Sequence, residues 1–259
     1  MIESLEFTSL RNHASQLVDA GFVVVLNEVN EVIDKADSLP KMLDSVGSVV
    51  LVSVNGTDSI FQQCTDNAFV HGYNRAYNEL GGDKIASVYI ENGIFDVAKR
   101  AVKKAGERVG ALKTVRDKTK SAAKSTISKI KSNVQKLVEF VLPRYKKGDS
   151  FTKEETAVVK ELAKRVVAEE LSKLDQQTKQ EIQDEITKAA ADGKIEAYKD
   201  AGIKQVKVRI DTVKDGRRCK KCEELEGKMF TVEQARSLIP IHKNCVKPNS
   251  TQVFTKEGW

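Results

Sequence analysis

Residues 201–245 read AGIKQVKVRIDTVKDGRRCKKCEELEGKMFTVEQARSLIPIHKNC, and here the periodicity of the chain changes. Val206, Val208 and Ile210 alternate with Lys207 and Arg209, the period-two pattern of a half-buried strand. Lys228-Met229-Phe230, just after Gly227, predicts a second short strand. Thr231 and Gln234 have the spacing of a capping box, in which each side chain satisfies a free backbone donor at a helix start. The short helix they open is expected to end at Pro240. Upstream of Gly202 the apolar residues recur at three- and four-residue spacing instead. The fold class expected is therefore mainly α, with a small C-terminal α+β zinc-binding domain over residues 203–259.

The zinc expectation rests on four side chains. Cys219-x2-Cys222 is followed by 19 residues and then His242-x2-Cys245. A turn between two cysteines that are two residues apart can bring both sulfurs to one ion, and Gly227 lets the chain leave that knuckle. Three thiolates and one imidazole form a tetrahedral set that Zn²⁺ favours. Four protein ligands leave no open position, so Cys219, Cys222, His242 and Cys245 are expected to hold a structural zinc, with no catalytic residue assigned. A thioredoxin-like Cys-x-x-Cys would need a βαβ context that is not evident. A disulfide would need an oxidising compartment. A zinc deaminase would need His-x-Glu upstream, which is missing. A zinc-knuckle nuclease would need a histidine general base, and the histidine near the knuckle is already committed to the metal.

Outward from this region the chain divides by charge. Residues 1–96 carry a net charge of −9, residues 97–147 one of +13 and residues 148–259 one of +2, within an overall +6 for 259 residues. The organisation read from this is an acidic helical region at 1–96, a basic helical segment at 97–147, a helical arm at 148–202 and the C-terminal domain. In the first region Gly21 and Pro40 punctuate a helical pattern. The run from Val49 to Val54, ending in Asn55-Gly56, reads as a strand, either in a hairpin or at a buried edge. Ser59 to Leu80 reads as a helix. In the basic segment Ile127, Ile130, Val134, Leu137, Val138 and Val141 mark one helix face, closed by Pro143. In the arm, Thr152 and Glu155 form a capping box, Val158, Leu162, Val166 and Leu171 follow at helical spacing, and Asp175 is placed as the N-cap of a further helix ending at Gly202.

The basic segment holds 16 Lys and Arg against 3 acidic residues. It reads either as a solvated helix face, as a phosphate-binding surface or as the complement of an acidic protein surface. Aromatic residues for base stacking are nearly absent from it, so sequence-specific readout is not expected. Cys64 reads as a buried reduced thiol, and His13 and His71 have no ligand partners at metal spacing. No apolar run approaches the length of a transmembrane helix, and the N-terminal MIESLEFTSLRNH lacks the pattern of a secretory signal.

Residues from about Lys188 to Cys245 resemble the C-terminal domain of tailed-phage minor head proteins, the MuF-type head morphogenesis family. The resemblance is carried in order by Ala201-Gly202, the Val206–Ile210 strand, Asp215, Arg218, Cys219, Cys222, Leu225, Gly227, Phe230, Ala235, Pro240, His242, Asn244 and Cys245. Many family members continue to a further cysteine where this chain has Val246-Lys247, which leaves Cys245 as the candidate fourth ligand. The resemblance covers about a quarter of the chain. It implies a structural virion component without conserved catalytic activity, present in several copies inside the phage head near the portal, and in the host cytoplasm during assembly. The partners implied are the portal protein or the major capsid protein. Packaged DNA is a further candidate partner, through Lys-rich residues 97–147, and no membrane partner is expected. Two alternatives stand beside it: a zinc protein that binds DNA without sequence preference, and a zinc-knuckle nuclease.

Overall fold

The computed structural model describes residues 2–56, 58–80, 103–104, 109–145, 151–212, 220–238 and 250–256. Helices make up more than four-fifths of the described residues. The helices are α1 (Ile2–Lys35), α2 (Leu39–Gly56), α3 (Asp58–Glu79), α4 (Val109–Val141) and α5 (Lys153–Asp200), followed by the short α6 (Lys220–Leu225) and α7 (Val232–Ser237). Three strands accompany them: β1 (Gln205–Thr212), β2 (Met229–Thr231) and β3 (Ser250–Lys256). The chain forms two compact units, and neither is continuous in sequence. One, the helical unit, comprises residues 15–60 and 113–181; the other, the sheet-bearing unit, comprises residues 1–14, 61–112 and 182–259.

The helical unit is built on one apolar core. Val25, Val29 and Ile33 of α1 meet Val46, Val50 and Val54 of α2, with Ile130, Val134 and Val138 of α4 and Val167, Leu171 and Leu174 of α5. Each set recurs at three or four residues, so one stripe per helix is removed from water. Full burial of such a side chain is worth about 1.5–3 kcal/mol, more than the small helix penalty of its β-branching.

That arithmetic overturns the expected strand at Val49–Val54, which lies inside α2. Val50 and Val54 are buried, whereas Val52 between them is 71% exposed. A strand would have put residues 50, 52 and 54 on one face; a helix separates 52 from the other two. Ser48 and Ser53 each donate to the carbonyl four residues back, Asp44 and Val49, as helical serines do. Pro40 sits in the first turn of α2, where its missing N–H costs nothing. Gly21 does not interrupt α1.

Three further expectations are corrected. Asp175 is not an N-cap, because α5 runs unbroken through it. Its carboxylate pairs with Lys179 at 2.7 Å instead of capping backbone N–H groups. The buried stripe of α4 is also narrower than expected, since Leu137 and Val141 remain partly exposed. In α5 Val166 and Leu171 are buried as expected, but in the first turns the stripe is shifted by one residue: Val159 and Ala163 are buried and Val158 is 43% exposed. The capping box of Thr152 and Glu155 forms as expected, with Glu155 N donating to Thr152 Oγ1 and Thr152 N to the Glu155 carboxylate.

In the sheet-bearing unit α3 and α5 approach each other through glycine. A Cβ built on Gly72 would stand 1.8 Å from the Ala190 carbonyl oxygen, and one on Gly193 would stand 2.0 Å from that of Phe69. Around this contact Phe69, Tyr73, Ile186 and Tyr198 are buried. Gly202 ends α5 at φ +74°. Ile203 N donates to Tyr198 O and Gly202 N to Lys199 O, the paired bonds of a Schellman cap. The chain then enters β1, the centre of a three-stranded antiparallel sheet of order β2-β1-β3.

Candidate metal site and its surroundings

Of the four expected zinc ligands, Cys219, His242 and Cys245 lie outside the described residues, as do Asp215, Arg218, Pro240 and Asn244. Cys222 lies in α6, where only its backbone is described. Among the described residues no group of three or more His, Cys, Asp or Glu side chains is placed to hold a metal. The geometry that bears on the site is therefore the framework from which the two ligand pairs depart.

That framework is defined by strand register. Thr212, the last residue of β1, pairs with Ser250, the first residue of β3. Cys219 follows Thr212 by seven residues, and Cys245 precedes Ser250 by five. Both ligand-bearing connections thus depart from the same end of the β1–β3 ladder. An extended chain spans about 3.3–3.6 Å per residue, so segments this short can meet over that end. Gly227 leaves α6 at φ +80°, in the left-handed region that a side chain disfavours, and turns the chain back into β2. In β1, Val206 is fully buried and Lys207 is exposed, which is the expected alternation over the described side chains.

The capping box at α7 also forms as read from the sequence: Gln234 N donates to Thr231 Oγ1, and Thr231 N donates to the Gln234 side chain. Val232 and Ala235 of α7 are buried, and Arg236 reaches α5, pairing with Glu196 and, at 3.6 Å, with Asp192. Lys104, from outside that helix, places its Nζ 2.7 Å from Asp200 and 3.4 Å from Glu196 of α5. The Tyr73 hydroxyl donates to Asp200 at 2.6 Å. Burial alone would lower the Lys104 pKa, but Asp200 and Glu196 outweigh it and hold the ammonium above its ordinary value. This chain of ion pairs fixes α7, and with it the β2 edge of the sheet, against the last turns of α5. Sequence spacing gave no sign of it, because its bonded partners are separated by up to 127 residues.

Cys64 is a free, buried thiol on α3, and burial pushes its pKa up, which favours the protonated, unreactive form. His13 is exposed on α1 and His71 half-buried on α3. Arg11 is buried at 8% exposure, donates to Gln183 Oε1 at 3.0 Å, and is pushed down to about 10 by burial, partly offset by Asp184. No helix among the described residues is long and apolar enough to cross a membrane. Comparison of the chain with protein-family models, with curated proteins and with solved structures finds no match in any of the three.

Proposed function

We propose that the chain is a structural component of a tailed-phage particle, a minor head protein of MuF type that acts inside the capsid at or near the portal. The observation that carries this reading is the ordered series from Ala201-Gly202 through Cys219, Cys222, Gly227 and Phe230 to His242, Asn244 and Cys245. The Schellman cap at Gly202 and the positive φ of Gly227 support it, since both glycines are used where the motif needs them. The pairing of Thr212 with Ser250 supports closure of one site by the two ligand pairs.

In this reading Cys219, Cys222, His242 and Cys245 hold zinc, and the ion ties the two long connections of a small sheet together. Metal binding in so small a unit supplies much of its folding free energy. A four-ligand site does no chemistry, so the unit serves as a rigid docking element at the end of a helical arm. The portal protein or major capsid protein is the proposed partner. The second reading, a zinc protein that coats DNA without sequence preference, is favoured by one observation: Lys124, Lys129 and Lys136 stand exposed on α4. Mass spectrometry of purified virions, with and without their DNA, tests the first reading. The chain should be found in low copy in the particles; absence from both kinds rejects the virion assignment and moves the weight to the second reading.

A further inference from the structure

α4 carries eight lysines and arginines against Asp117 and Glu139. Its apolar stripe of Ala123, Ile130, Val134 and Val138 is buried in the helical unit, which fixes which of the basic side chains face water. Lys118, Lys129 and Lys136 are exposed and recur at 11 and 7 residues, three turns and two turns, on the side of the helix away from that stripe. The row they form extends over about 27 Å, at 1.5 Å per residue. Lys124 is exposed on one flank of the same outward face.

Between these lysines the outward face is filled by Ser121, Ser125, Ser128 and Ser132, all exposed and all at three- or four-residue spacing. Short hydroxyl side chains leave a polyanion room to approach the helix closely while the longer lysines reach its phosphates. Internal ion pairing takes up little of this charge. Lys131, at the margin, is engaged by Asp44 at 2.6 Å, and Lys118 has a long 3.4 Å contact with Glu181. Lys124, Lys129 and Lys136 take no ion pair among the described residues. No aromatic side chain interrupts the row; Phe140, 81% exposed, lies beyond its end. A row of ammonium groups without stacking platforms fits the phosphate backbone of a duplex better than the bases of a single strand.

We infer that the outward face of α4, centred on Lys124, Lys129 and Lys136, binds the backbone of double-stranded DNA without regard to sequence. The inference deepens the second, DNA-coating reading above, but it rests on the placement of lysines on α4 and on neither the zinc site nor the virion location. Lysine neutralises phosphates and releases condensed counterions, so log affinity falls linearly with log salt, with a slope of about −0.9 per phosphate contacted.

The test titrates the full-length protein into a fluorescent random-sequence 30-base-pair duplex from low to high salt. The combined variant Lys124→Gln, Lys129→Gln, Lys136→Gln is compared with the control Lys35→Gln, Lys41→Gln, Lys173→Gln, whose lysines are also exposed but lie on other helices. Circular dichroism verifies that both remain helical. The α4 variant should bind more weakly throughout, with the slope reduced by about 2.7 for three lost contacts, and the control should follow the wild-type chain. The inference is overturned if the wild-type chain ignores the duplex at low salt, or if the control loses as much slope as the α4 variant. Either result would leave virion incorporation, read by mass spectrometry, untouched.

Discussion

Replacing Gly72 with alanine inserts one methyl group where α3 and α5 touch by their backbones. The added carbon would fall 1.8 Å from the Ala190 oxygen and 2.6 Å from its carbonyl carbon. A carbon and a carbonyl oxygen rest in contact at about 3.3–3.6 Å, so the helices must part locally by roughly 1.5 Å. The obstacle is backbone on both sides, so no rotamer change relieves it. Overpacking of a well-filled interior costs about 1–3 kcal/mol, and an unyielding neighbour puts Gly72→Ala at the upper end, about 3 kcal/mol. The better helix propensity of alanine returns roughly 0.5–1 kcal/mol, leaving a net loss of about 2–2.5 kcal/mol. For a chain of this size that lowers the melting midpoint by about 4–10 °C. Gly193→Ala meets Phe69 O at 2.0 Å and should cost a similar amount. The two together should cost less than their sum, because one separation of the helices relieves both clashes. Gly21→Ala is the internal control: nothing lies within 4 Å of its Cβ position, and the helix gain should stabilise the chain by about 0.5–1 kcal/mol. Thermal and urea unfolding followed by circular dichroism at 222 nm measures all four. A Gly72→Ala chain that melts at or above the wild-type midpoint would refute the close approach of α3 and α5.

Other expectations are independent of this one. Val50→Asp should destabilise the helical unit by more than about 3 kcal/mol, since it buries an unpaired carboxylate, whereas Val52→Asp at an exposed position should change stability by less than about 0.5 kcal/mol; equal effects in urea unfolding would argue for the strand reading of Val49–Val54. Elemental analysis of protein made without added metal should find about one zinc per chain, and Cys222→Ser should abolish it and raise hydrogen exchange across residues 205–238 while α1 and α2 stay protected; a zinc-free wild-type chain with free thiols at Cys219, Cys222 and Cys245 defeats the metal site. The Lys104 pKa is raised in the folded chain, so its ion pairs stabilise fully below the unfolded value of about 10.4 and fade as pH climbs through the folded value. The gap in urea midpoint between wild type and Lys104→Met should therefore be steady through neutral pH and narrow above about pH 10.4; a gap that widens there would contradict the pairing with Asp200 and Glu196.

How much of this was legible in the sequence followed the range of the forces involved. Thr152 with Glu155, Thr231 with Gln234, and Gly202 at the end of α5 were readable because each closes its hydrogen bonds within a few residues. The strand at β1 was readable for the same reason, and where its side chains are described, buried Val206 beside exposed Lys207, the expected alternation holds. The Cys-x-x-Cys and His-x-x-Cys pairs declare a zinc expectation by donor chemistry and spacing alone, whereas the arrangement of their side chains lies outside the described residues. Tertiary structure decided what depended on distant partners. Val49–Val54 has the composition of a strand, yet α1, α4 and α5 supply an apolar surface that only a helical stripe of Val46, Val50 and Val54 can meet. Asp175 has the chemistry of a cap, yet Lys179 holds its carboxylate and the helix continues. Gly72 and Gly193 look like helix-weakening residues until two backbones 121 residues apart in sequence are brought together, where any side chain would collide. Local rules fix what a segment can do by itself; burial, which is worth more, depends on surfaces the segment does not contain.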